Sequence, residues 1–91
     1  MTINVGSRLY SEAVSNTSSV TPVQLSSNQE LKFGVTILAL SSNAGTVYVG
    51  NSGVTTSNGF PLAAGAGIQL AIDNLSKVYV VGSGSIRYIG G

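Results

Sequence analysis

Every second residue from Leu31 to Ala39 is apolar: Leu31, Phe33, Val35, Ile37 and Ala39. Side chains alternate between the two faces of a strand, so this spacing lays one apolar row along one face. The other row runs Lys32, Gly34, Thr36 and turns apolar at Leu38 and Leu40. It predicts a strand from Glu30 to Leu40 whose far end is buried on both sides. Gly34 in mid-strand marks a bulge or a close backbone approach.

The same period of two recurs along the chain. Val20 to Leu25 reads as a short strand, and Pro22 near its start assigns it to a sheet edge. Asn43-Ala44-Gly45 makes a turn, after which Thr46 to Gly50 forms a hairpin partner with Val47 and Val49 inward and Tyr48 outward. A polar loop follows, with an extended piece at Val54 to Thr56. Asn58-Gly59 signals a type I′ turn, because both residues accept positive φ. Phe60 and Leu62 are expected to cap the core. Ile68, Leu70 and Ile72 share one face, Asp73-Asn74 turns the chain, and Val78 and Val80 share another face with Tyr79 opposite. Gly82-Ser83-Gly84 reads as a hairpin loop before a last strand, Ser85 to Ile89. Helix signals are almost missing.

These segments predict an all-β chain of about six to eight short strands, a small β-sandwich or barrel of jelly-roll-like type. Residues 1–18 alternate weakly (Ile3, Val5, Leu9, Val14) and read as an extended N-terminal arm or edge strand anchored by Leu9 and Tyr10. Residues 19–91 read as a single β-sandwich or barrel domain.

Charge and composition exclude much chemistry. Charged residues make up 8% of the chain, against about a quarter in an average protein. Cys, His and Trp are absent, so disulfides, thiolate or imidazole metal sites and Cys or His nucleophile–base pairs are ruled out. Arg8, Lys32, Lys77 and Arg87 are dispersed, whereas a nucleic-acid groove needs clustered cations, and no nucleic-acid partner is expected. No membrane segment is expected either: Phe60 to Ile72 is too short for a bilayer, which needs about 20 residues. The carboxylates are Glu12, Glu30 and Asp73. Glu30 and Lys32 suit a weak surface pair on one strand, and Asp73 suits a turn. Three separated acids make neither a calcium site nor an acid–base pair. Gly65-Ala66-Gly67 and Gly82-Ser83-Gly84 lack the strand–loop–helix setting of a phosphate cradle. No cofactor, no metal and no catalytic residue is expected, and the chain reads as a non-enzyme. Tyr10, Tyr48, Tyr79 and Tyr88 suit interface packing or ordinary core-edge packing better than sugar stacking.

Several strings carry a resemblance: Gly34-Val-Thr-Ile-Leu-Ala-Leu40, Asn43-Ala-Gly-Thr-Val-Tyr-Val-Gly-Asn51, Val54-Thr-Thr-Ser-Asn-Gly-Phe-Pro-Leu62, Asn74-Leu-Ser-Lys-Val-Tyr-Val80 and Ile86-Arg-Tyr-Ile-Gly90. Over about residues 31–91 the chain resembles small β-domains of tailed-bacteriophage virion proteins, most of all head decoration (cement) proteins. The resemblance implies a compact, commonly trimeric domain seated on major capsid protein at the virion surface, with a terminal arm that reaches a neighbour. Its function would be to bridge and stabilise coat subunits, with contacts expected at Arg8, Leu9 and Tyr10 in the arm and at Tyr48 and Tyr88 between subunits. Two alternatives share the composition: a tail, baseplate or fibre component, and a carbohydrate-binding β-module with Tyr48 or Tyr79 stacking on sugar.

Overall fold

The structure, a computed structural model, describes residues 9–16 and 21–91. Arg8, and Val20 at the start of an expected strand, lie outside the described residues. Eight strands follow in order among the described residues: β1 (Tyr10–Asn16), β2 (Val23–Gln24), β3 (Val35–Ala39), β4 (Val47–Gly50), β5 (Phe60–Leu62), β6 (Gly67–Leu70), β7 (Tyr79–Gly82) and β8 (Gly84–Gly90). One turn of 3-10 helix, Leu75–Lys77, precedes β7.

The strands form two four-stranded sheets, one ordered β1-β8-β3-β6 and the other β2-β7-β4-β5. All pairings are antiparallel. First pairs with last, second with seventh, third with sixth and fourth with fifth. A long antiparallel ribbon of this kind, rolled so that β8 also meets β3 and β7 also meets β4, is a jelly roll. The chain is therefore an all-β sandwich, as its alternation predicts.

The core lies between the sheets. Val35, Ile37 and Ala39 of β3, Val47 and Val49 of β4, Val80 of β7 and Ile86 and Tyr88 of β8 are buried there with Leu62 and Leu75. Each set keeps the period of two that its sequence shows. Ile68, Leu70 and Ile72 pack half-buried against this core.

Rolling the ribbon changes what several turns do. Only β4 and β5 are sequential neighbours in one sheet; every other connection crosses between sheets. Thr46 to Gly50, expected as the hairpin partner of β3, thus lies in the opposite sheet. Gly82-Ser83-Gly84, expected as a hairpin loop, is a corner at which the chain leaves β7 and enters β8. The side chain of Asn43 fastens the neighbouring corner. Its Nδ2 donates to Ser85 O and its Oδ1 accepts from Ser85 N–H, both at 2.9 Å. Gly84 allows that approach, since a Cβ there would stand 2.8 Å from Asn43 Cγ.

The expected strand Glu30–Leu40 is shorter than its alternation. Glu30 makes an isolated bridge to Asn74, and Gly34 takes φ +85°. A Cβ at Gly34 would collide with Leu70 O. The left-handed residue breaks the strand and rotates Phe33 outward, leaving it 48% exposed rather than in the core row. Leu38 is 44% exposed and Leu40 half-buried, so the far end is covered on one side only. Phe60, expected to cap the core with Leu62, is likewise exposed. Asn58-Gly59 is not a type I′ turn, because neither Asn58 nor Gly59 has positive φ. Asn58 Oδ1 instead accepts from Thr55 N–H at 2.7 Å, and Val54, expected in an extended piece, is buried beneath the loop.

Candidate functional site

The outer face of the β1-β8-β3-β6 sheet carries a concave surface. Because the odd residues of β3 and the even residues of β8 fill the core, Thr36, Leu38, Arg87 and Ile89 point away from it. The register sets Ser11, Ile89, Thr36 and Gln69 in one row, and Arg87, Leu38 and Gly67 in the next. Together they line a shallow groove of about 570 Å³. Its floor is mostly carbon, from Leu38 and Ile89 with Gly67 leaving room at one side. Among the described residues, Arg87 is the one charged group lining it. Thr36 Oγ1 is buried in its row and makes no hydrogen bond among the described residues.

A second feature lies at the end of the sandwich. The bridge between Glu30 and Asn74 and the bond from Leu31 N–H to Asp73 O (2.8 Å) join two loops distant in sequence. Asn74 organises them: its Oδ1 accepts from Gln29 N–H and Ser76 N–H, both at 3.0 Å. Glu30, Lys32, Asp73 and Lys77 thereby gather around a recess of about 400 Å³. Lys77 Nζ lies 2.8 Å from Asp73 Oδ1 and, by hydrogen bond and charge, holds that carboxyl below the usual carboxylate range. Four of the seven charged residues thus meet at one end, although in sequence they form two separate pairs, Glu30 with Lys32 and Asp73 with Lys77. Only the long-range bridge brings them together, so no local signal could have shown it. The recess is mixed in sign, and it does not form a cationic surface.

The tyrosines separate. Tyr88 is 2% exposed, with its ring in the core. Its hydroxyl donates to Glu12 Oε2 at 2.9 Å, which ties the edge strand β1 to β8. Burial first, and the Glu12 carboxylate second, push the phenol up to about 12. Tyr48 and Tyr79 are half-buried on the outer face of the other sheet. Tyr10 packs against the core, and Leu9 beside it is exposed. The residues expected at contacts therefore do not form one patch: Leu9 and Tyr10 stand at one edge, Tyr48 lies on the opposite sheet, and Tyr88 is interior. The outer-face set of Leu38, Arg87 and Ile89 was missed. Its sequence signal was Leu38 in a row otherwise polar or glycine up to that point.

Among the described residues no group of three or more acidic side chains is placed to hold a metal ion. No helix among them is long and apolar enough to cross a membrane. No family model, curated protein or solved structure matches the chain. The jelly-roll topology rests on strand order.

Proposed function

We propose that this chain is a structural, non-enzymatic protein of a tailed-bacteriophage particle, a cement protein that bridges coat subunits on the capsid surface. The observation that carries the reading is the apolar groove on the outer sheet face, with Leu38 exposed and Ile89 half-buried beside Arg87. A concave, mostly apolar groove with one charged group at its side has the form of a docking surface. It suits a partner surface that brings aliphatic side chains to Leu38 and a carboxylate to Arg87. The jelly-roll strand order adds fold-level analogy, since viral capsid domains use it.

The mechanism is mass action. A protein that binds only the assembled shell stabilises the shell by its binding free energy. Copies linked to one another bind with an effective concentration that a single copy lacks. Neither step needs chemistry at a catalytic centre, which agrees with the sparse charge.

The test uses intact particles from cells that make the chain. An antibody to the chain is expected to label the heads, and Leu38→Lys is expected to remove the protein from the particle fraction while its circular dichroism stays unchanged. A chain abundant in the cell but absent from purified particles refutes the reading. Label confined to tails refutes the capsid position.

A further inference from the structure

We infer that β6 is a pairing edge through which two copies of this chain join about a two-fold axis. The inference does not depend on the virion reading. Each sheet of an open sandwich has two edge strands, here β1 and β6 in one and β2 and β5 in the other. Proteins blunt such edges with proline, charge or shortness. β5 carries Pro61, β2 has two residues and follows Pro22, and β1 carries Glu12. β6, Gly67-Ile68-Gln69-Leu70, has none of these guards, and the chain carries no charge from Phe60 to Ile72.

The hydrogen-bond parity shows what this edge offers. Ala39 N–H donates to Ala66 O at 2.9 Å, while Leu40 N–H donates across to Ser85 O at 3.1 Å. In an antiparallel ladder these alternate, so Ile68 and Leu70 spend their backbone groups on β3. The N–H and C=O of Gly67 and Gln69 therefore face outward along a side that pairs with no described strand.

The strand is complementary to itself. With Ile68 opposite Ile68 of a second copy, Gly67 of each faces Gln69 of the other and exchanges both backbone bonds. The two Ile68 side chains then form a close, non-hydrogen-bonded β-branched pair. Ile68 and Leu70, only half-buried against their own core, are covered by the neighbour. On the outer face Gly67 leaves space for Gln69 of the second copy. A neutral segment adds no like-charge repulsion on meeting itself, and a two-fold contact is self-complementary and closed. A face-to-face dimer through the groove is the poorer choice, because it would set two Arg87 guanidinium groups together.

Sedimentation equilibrium of the full chain tests this at about 0.1 mM, where a contact with Kd of ~10 μM is mostly formed. The wild type is expected at twice the 9.2 kDa chain mass. Gln69→Pro removes an outward N–H without taking a bond from the β3 ladder, so it is expected to keep the β-sheet circular dichroism and sediment as a single chain. Gln69→Lys serves if the proline variant does not fold: it places charge on the edge and is expected to weaken pairing at least tenfold, with partial recovery in high salt. A wild type that stays monomeric, a trimer, or a dimer that both variants leave intact overturns the inference.

Discussion

Asn43→Ala removes one side chain from an exposed-looking turn and is expected to destabilise the whole sandwich. The amide makes two 2.9 Å bonds to the backbone of Ser85, one as donor and one as acceptor, across 42 residues of sequence. Each bond contributes about 1 kcal/mol, and a half-buried Ser85 N–H without its acceptor adds part of a desolvation cost, for a total of about 2–3 kcal/mol. A chain of this length has a total stability of roughly 5–14 kcal/mol. At about 4–8 °C per kcal/mol, the melting temperature should fall by roughly 10–20 °C. Asn43→Asp separates the clamp from simple loss of volume. It has the same size and keeps an acceptor for Ser85 N–H, but it sets a carboxylate oxygen against Ser85 O, so it too should destabilise at neutral pH. The assay is thermal unfolding by circular dichroism at one fixed protein concentration, since self-association would shift the midpoint. If both variants melt within about 3 °C of the parent, the corner is not fastened by Asn43 and the reasoning fails.

Three further outcomes are expected. Gly34→Ala combines a φ of +85° with a Cβ placed against Leu70 O; strain alone is about 1–3 kcal/mol, so it should fold poorly or lose at least as much melting temperature as Asn43→Ala. The Tyr88 phenol is raised from 10.0 to about 12. Its neutral form therefore favours the fold below pH 10, and that contribution is lost as pH rises towards 12. Ultraviolet titration should show a phenol ionising at about 12 that Tyr88→Phe abolishes. Lys77→Ala breaks the 2.8 Å pair with Asp73, yet both groups are solvent-exposed, so denaturant titration should show no measurable loss of stability.

Much of the secondary structure was legible because strand alternation is a local property. Val47 and Val49, Val78 and Val80, and Ile68 and Leu70 all face the core side that their spacing predicts. The turns were less legible. Asn43-Ala44-Gly45 and Gly82-Ser83-Gly84 reverse the chain as their residues require, but the same residues serve a hairpin or a corner between sheets. That choice is set by which strand lies alongside, and β3 finds β8 rather than β4. Phe33 and Leu38 were misread for one reason each. A left-handed Gly34 breaks the alternation, and an apolar outer residue is indistinguishable in sequence from one buried on both sides. The groove and the charged recess depend on pairings between residues far apart in sequence, such as Glu30 with Asn74 and Thr36 with Gln69.

The nesting of strands, first with last, also sets an order of events during synthesis. β4 and β5 can close as a local hairpin, but β8 is the inner strand that joins β1 to β3. Until residues 84–90 are present, β1 has no partner in its sheet and one side of β3 is open. Closing such distant pairs is entropically slow. A ribosome making this chain therefore carries an unfinished half-sheet until β8 is made. The apolar row of β3 stays open along one side from its own synthesis until that of β8, which places the greatest hazard of misassembly in that interval.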